Sequence, residues 1–199
     1  LESLGNKVTY LPVDEFGIID LEKLKDVITD ETVLISIMFA NNEIGTIADI
    51  SEIGKIAQDK GILFHTDAAQ AVGHLPINVK KMNINLMSFS SHKIYGPKGI
   101  GALYIQNILP RVKLNPILFG GGQEKNLRSG TLNVPGIVGF AKALDIAEKE
   151  KDTENIRFKK WTDYMMNKFS EIGGKLNGHP EKRLSHNLNG RFDGIESKA

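Results

Sequence analysis

Three apolar runs punctuate the first half of the chain: TVLISIMFA at 32–40, ILFHTD at 62–67 and LMSFSS at 86–91. The first, a continuous apolar run, has the pattern of a parallel strand covered on both faces. Between the first two, ISEIGKIAQDK places its apolar residues at helical spacing and stops at Gly61. Alternation of this kind predicts an α/β domain with a mostly parallel sheet, because parallel strands need a crossover between them. In such sheets ligands collect at the carboxyl ends of the strands. The polar residues that follow each run fall there: Asn41 and Asn42 after the first, Asp67 and Gln70 after the second, and Ser90, His92 and Lys93 after the third.

The remaining segments extend the pattern. VTYLPV reads as a strand, and LEKLKDVI as a short amphipathic helix with Asp20 as its N-cap. AAQAVGHLPIN reads as a turn with a short helical segment, and GALYI as a further strand. A glycine-rich stretch, LFGGGQEKNLRSGTLNVPG, leads into a helix from about Val134 to Lys151, and a second helix is expected from about Asn155 to Ile172. Trp161, Tyr164, Met165 and Phe169 share helical spacing on it and read as packing residues. NGHPEKRLSHNLNGRF begins what reads as a smaller domain. The expected division is 1–140 for the larger domain and 141–199 for the linking helix and the start of the smaller one, both incomplete. LESLGNKVTYLPVD opens like the last turn of a helix stopped at Gly5, and the far end stops just after an apparent strand, so the expectation is an internal piece of a longer protein.

Composition removes several function classes. A formal net charge of +1 offers no basic surplus for nucleic acid. No run approaches the roughly 18 apolar residues of a membrane span, and no signal-peptide pattern opens the chain. Zero cysteines exclude disulfides, thiolate metal sites and thiol catalysis by these 199 residues. His65, His74, His179 and His186 make no metal-binding spacing and read as ordinary core, loop or surface histidines, so no metal is expected.

Lys93 carries the sharpest chemical reading. In a partly desolvated pocket a lysine can present a nucleophilic amine able to form a Schiff base. Taken alone, a loop lysine is solvated far more often than catalytic, but Ser90 and His92 stand beside it and GPKGIG fixes the backbone behind it. Asp67 is either a helix N-cap or a carboxylate facing a cation such as a protonated pyridine nitrogen. Gln70, three residues on, either reaches the same ligand or closes a capping box. GGGQEKNLRSGT has the flexible glycines, amides and arginine that suit an anion, or is a mobile surface loop. It does not fit a nucleotide P-loop, and no GxGxxG follows the first strand, which disfavours an NAD-type domain.

Taken together, NNEIGT, HTDAAQAVGHLPI, LMSFSSHKIYGPKGIGALYI and GGGQEKNLRSGTLNVPGIVGF resemble the cysteine desulfurases of the NifS/IscS kind. These are class V, fold-type I enzymes that use pyridoxal 5′-phosphate. The match runs in order over nearly the whole chain. It implies the three-layer, mostly parallel α/β large domain of that fold, with the start of a smaller α+β domain. By resemblance, Lys93 holds the cofactor as a Schiff base and shuttles the proton, and His92 and Ser90 line the pocket, Ser90 at a phosphate position. Asp67 pairs with the pyridine nitrogen, Gln70 lies near the phenolic oxygen, and Asn42 lies near that oxygen and the substrate carboxylate. Thr131 reaches the phosphate of the partner subunit's cofactor, which implies a homodimer.

The implied reaction takes sulfur from L-cysteine, leaves L-alanine and forms an enzyme persulfide for a sulfur-acceptor or scaffold protein, in iron–sulfur or thio-cofactor assembly in the cytoplasm. In the family a cysteine thiolate takes the sulfur, a histidine stacks on the cofactor and an arginine grips the substrate carboxylate. The family carries these in segments upstream and downstream of the part matched here, and this sequence has no cysteine. The expectation is therefore a central part of a desulfurase, inactive alone. The rivals are another class V enzyme, such as a selenocysteine lyase or aminotransferase, and a non-catalytic binding or scaffold protein of the same fold.

Overall fold

The computed structural model describes residues 2–108 and 112–195; Leu1 and residues 196–199, part of the two ends read as cut, lie outside them. Helix α1, Leu21–Val27, starts where Asp20 accepts hydrogen bonds from the backbone of Glu22 and Lys23, the cap expected from sequence. Helix α2, Ile50–Asp59, is capped by Asp49 and buries Ile50, Ile53, Ile56 and Ala57 along one stripe. Strands β1 (Leu34–Ser36), β2 (Leu63–Asp67), β3 (Leu86–Ser90) and β4 (Gly101–Ile105) form one sheet in the order β1-β2-β3-β4. The β1–β2 and β2–β3 pairs are parallel and β3–β4 is antiparallel, so the sheet is mostly parallel and the fold α/β.

The core lies on one side of this sheet. Ile35 of β1, Phe64 of β2 and Met87 of β3 pack with Leu24 of α1 and with Ile53 and Ile56 of α2. Phe64 is 0% exposed and Ile53 1%. The other side is partly open among the described residues: Leu34 and Met38 are each 41% exposed and Leu103 48%, while Leu86, paired with His65, is 7% exposed. TVLISIMFA is thus covered on one face, not two as its unbroken apolarity predicted. Its Ile35, Ile37 and Phe39 alternate into the core while Leu34, Ser36 and Met38 face out.

Helix α3 is a single element, Val134–Glu171, of 38 residues. At 1.5 Å per residue it is about 57 Å long. Asn133 caps it by accepting from the Gly136 amide, with Pro135 in the first turn. Two helices were expected, with a break near Lys151–Asn155. The intervening residues include neither Gly nor Pro, and ion pairs Lys149–Asp145, Lys151–Glu148 and Arg157–Glu154 run along the helix through the region. Phe140 contacts Phe89 of β3 at 5.6 Å between ring centres, which docks the first part of α3 on the core side of the sheet. Strands β5 (Lys175–Leu176) and β6 (Gly190–Arg191) pair antiparallel beyond it.

Three further expectations differ. VTYLPV forms no strand, only an isolated bridge from Val13 to Ile19. AAQAVGHLPIN makes turns and no helix: Val72 donates to Ala68 and Leu75 to Ala71, but Gly73 at φ +79° and Pro76 prevent continuation. Phe169 packs on Phe192 at 4.8 Å, whereas Trp161, Tyr164 and Met165 are 53%, 62% and 53% exposed; of these Trp161 packs edge-on against Phe158 at 6.1 Å, with the Arg157 guanidinium 4.9 Å from its ring centre. Among the described residues no helix is long and apolar enough to cross a membrane.

Ile53→Ala is expected to lower stability by about 2–5 kcal/mol, while Trp161→Ala changes it by less than about 1 kcal/mol. Urea unfolding midpoints of the two variants check the contrast.

Candidate active site

Period-two alternation along β2 decides which side chains reach the open face. Phe64 and Thr66 point into the core, each 0% exposed, so His65 and Asp67 point the other way. Asp67 ends the strand in register with Ser88 of β3. One carboxylate oxygen accepts from the Ala69 amide at 2.9 Å, a turn contact related to the capping alternative, although no helix follows. Its second oxygen accepts no hydrogen bond from the described residues. His65 lies on the same face, with Nδ1 2.8 Å from Ser36 Oγ and Nε2 3.3 Å from Ser88 Oγ. A polar row therefore crosses β1, β2 and β3 beside Asp67. Burial holds the His65 imidazole below its ordinary pKa, opposed by the negative charge of Asp67. Sequence reasoning set His65 aside as ordinary; the signal that places it here is its two-residue spacing from Asp67.

Lys93 and His92 sit in a short 3₁₀ turn, Ser91–Ile94, that follows β3 directly. Ser91 is 0% and Ile94 3% exposed, so the turn is pinned at both ends while His92 and Lys93 stand exposed between them. Ser90 closes β3 opposite Gly101 and is half-buried. Tyr95 adopts a left-handed conformation at φ +62° and donates its amide to the Ser91 carbonyl, reversing the chain. Gly96 then passes so close that a Cβ there would lie 2.2 Å from Ser91 Oγ and 2.9 Å from Ala143 Cβ on α3. Gly96→Ala is expected to cost about 1–3 kcal/mol through overpacking and to displace the Lys93 turn. Thermal unfolding, and Lys93 reactivity toward an amine-selective reagent, measure the two effects.

The other candidate residues are placed less tightly. Asn41 Oδ1 accepts from the amides of Glu43 and Ile44 at 2.8 and 3.0 Å, forming the turn that leaves Asn42 exposed. Gln70 is half-buried in the turns after β2. Thr131 is exposed in the glycine-rich loop, which folds on itself: Gln123 accepts from the Gly130 amide at 2.9 Å and Arg128 donates to the Gly130 carbonyl at 3.3 Å. The sheet thus sets Asp67, Ser90 and the Lys93 turn at neighbouring strand ends, with Gln70 and Asn42 on the loops that leave β2 and β1. No hydrogen bond joins Thr131 to them. Among the described residues no cluster of three His, Asp or Glu could hold a metal ion.

The aminotransferase class-V profile matches residues 1–199. The chain belongs to the aminotransferase class-V family. It is 52% identical over 200 residues to the cysteine desulfurase IscS of Methanosarcina thermophila, and 52% identical over 203 residues to that of Rickettsia bellii (strain OSU 85-389). Both alignments cover 100% of this chain and 49% of the relative, so the chain spans about half the length of the curated relatives it matches. Among solved structures, a NifS-like protein superposes with a TM-score of 0.92 at 39% identity, over 98% of this chain and 53% of that one. SspA in complex with cysteine superposes at 0.83 with 38% identity, over 96% and 53%. The class-V desulfurases are pyridoxal 5′-phosphate enzymes.

Behind the Lys93 turn of this class-V chain, two histidine rings meet at a tilt of 41°. The rings of His74 and His186 are 4.3 Å apart, and His74 Nε2 lies 3.4 Å from the Lys93 carbonyl. Burial lowers the pKa of both, that of His186 to about 4, where the neighbouring His74 adds repulsion. Neutral rings are therefore favoured in the fold, and the unfolded chain takes up protons first as pH falls. Their contribution to stability is complete above pH 6.5 and is lost as pH falls toward about 4. With solvent screening at this half-buried site, the loss is on the order of 1–2 kcal/mol. Chemical denaturation across that range is expected to show the decline, and His186→Gln to flatten it.

Proposed function

We propose that this chain is the central part of a pyridoxal 5′-phosphate-dependent cysteine desulfurase. The observation that carries the reading is the placement of an exposed carboxylate, Asp67, at the end of β2 and an exposed amine, Lys93, just past the end of the parallel β3, in a chain half identical to desulfurases. The donor set suits the cofactor: a carboxylate for the ring nitrogen, an amine for the aldehyde, an amide and a hydroxyl for the phenolic and phosphate oxygens.

Each side chain then has a task. Asp67 would keep the ring nitrogen protonated. Lys93 would hold the cofactor by its amine and move the proton at the substrate α-carbon. Gln70 and Asn42 would orient the phenolic side, Ser90 would hold phosphate and His92 would flank the ring. When bound, the cofactor supplies an electron sink for the charge that develops at the α-carbon. The net change is a sulfur transfer: L-cysteine becomes L-alanine, and the sulfur joins a thiol to give a persulfide. These 199 residues contain no cysteine, so that thiol lies outside them.

The dimer reading draws on the surface around the glycine-rich loop. Ile117 and Phe119 are 87% and 83% exposed before it, and Val134 and Val138 are 58% and 62% exposed after it. Large apolar side chains in this number are more usual at an interface than on a solvated surface, and a second copy seated there brings Thr131 to the partner's cofactor. Residues 1–140 serve as the large domain and 141–199 as the linking helix and start of the small one. A cytoplasmic location and a sulfur-acceptor or scaffold protein complete the reading.

Full-length protein incubated with pyridoxal 5′-phosphate is expected to develop a visible absorbance band that borohydride reduces. Lys93→Ala abolishes it and lowers alanine release from cysteine by about 100-fold or more. The 199-residue chain alone accumulates no protein-bound persulfide. A protein that never develops the band is instead a non-catalytic binding protein of the same fold.

A further inference from the structure

The residues between the two short strands of the C-terminal module reach back to both loops that carry candidate site residues. On one side, Ile47 donates its amide to Lys182, Leu184 donates to Gly45 at 2.9 Å, and Thr46 and Arg183 form an isolated bridge. Thr46 is 3% exposed; its hydroxyl donates to the Phe16 carbonyl at 2.6 Å and accepts from the His179 amide at 2.9 Å. The side chain of Asn187 donates to the carbonyls of Glu43 at 3.0 Å and Asn42 at 3.4 Å, and Asn189 donates to Glu43 at 3.1 Å. Two amides thus hold the backbone of the turn that presents Asn42. Gly45 admits them: it has φ +76°, and a Cβ there would lie 2.6 Å from Asn187 Oδ1.

Arg183 holds Asn187 in turn. Its Nη2 donates to the Asn187 carbonyl at 3.0 Å and side-chain oxygen at 3.1 Å, and its Nη1 to the Asn177 carbonyl at 3.2 Å. No carboxylate pairs with this guanidinium among the described residues. Its hydrogen bonds go to neutral oxygens, which fix geometry without cancelling charge.

On the other side, Ser185 donates its hydroxyl to Asn155 at 2.6 Å and accepts at its carbonyl from Thr162 at 2.6 Å, locking the segment to α3. Asn155 also donates to the His74 carbonyl at 2.8 Å. His186 lies between the His74 ring and the edge of Phe158, at 4.3 and 5.8 Å. His74 in turn reaches the Lys93 carbonyl.

We infer that residues 183–189 form a positioning clasp, with Asn187 setting the turn of Asn42 and His186, through His74, setting the backbone of Lys93. The position of the C-terminal module is thereby coupled to two residues of the cofactor site, and the coupling is reciprocal. Asn187 and His74 are positioning residues; neither touches the reacting atoms. The part of this inference that concerns Lys93 as cofactor lysine rests on the proposed function; the coupling of the segment to the Asn42 turn does not.

Two readouts on the intact protein test it. In amide hydrogen exchange, Asn187→Ala is expected to speed exchange over residues 43–46 about tenfold, with the α2 amides unchanged. If that variant does not fold, Asn187→Asp serves, since it keeps the acceptor for Arg183 and loses the donor to both carbonyls. With pyridoxal 5′-phosphate added, His74→Ala is expected to shift the visible band or its pH midpoint, and His74→Gln, which keeps an N–H donor, to restore it. Unchanged exchange over 43–46 overturns the clasp, and so does a band that His74→Ala leaves untouched. A parent protein that shows no band, yet loses protection over 43–46 on Asn187→Ala, overturns the cofactor reading and upholds the clasp.

Discussion

The register of β2 is the constraint on which the rest depends. Phe64 and Thr66 are fully buried, and the residues between and after them, His65 and Asp67, are thereby committed to the opposite face. A slip of one residue would bury a carboxylate and an imidazole and expose a phenylalanine. Parallel pairing carries the same decision to the neighbours: Ser36 aligns with His65, and Ser88 with Asp67. The hydrophobic burial of one face of three strands is thus what arranges the polar row on the other.

The Lys93 turn repeats this logic over four residues. Ser91 and Ile94 go inward and His92 and Lys93 outward, so the exposed amine is held by buried neighbours and not by contacts of its own. The arrangement has a cost. Thr66 Oγ1 and Ser91 Oγ are buried with no hydrogen-bond partner among the described residues, and an unsatisfied buried hydroxyl costs about 1–3 kcal/mol. One precedes Asp67 and the other precedes His92 and Lys93. The other two buried side-chain atoms without a partner among the described residues, Arg183 Nε and His186 Nδ1, lie in the segment that reaches back to the Asn42 and Lys93 turns, so the unsatisfied atoms divide between the sheet behind the candidate site and that segment.

Much of this was legible in the sequence where a local signal had a local cause. Asp20 caps α1, the runs at 62–67 and 86–91 became β2 and β3, and Lys93 fell just beyond a strand end. Readings failed where the outcome turned on partners. VTYLPV has strand-like composition but no neighbouring strand to pair with, since Val13 finds only Ile19. Unbroken apolarity in TVLISIMFA says that both faces suit burial, not that both are buried. The join of the expected helices lacked a breaker, and charged residues around it pair along one continuous helix. The clasp was invisible for the same reason, because Asn187 and the Asn42 turn are 145 residues apart.

The exposed face sharpens what these residues supply and what they do not. Asp67 is exposed on the same side of the sheet as Leu34, Met38 and Leu103. Two unit charges 4 Å apart attract by about 1 kcal/mol in water and about 4 kcal/mol at an effective dielectric of 20. With that face open to water, Asp67 can place a cation but holds it weakly. Covering the face would leave the geometry set by β2 unchanged and multiply the strength of the same contact. Position and electrostatic strength at this site are therefore separable: Phe64 and the sheet register fix the first, and the covering of an apolar face fixes the second.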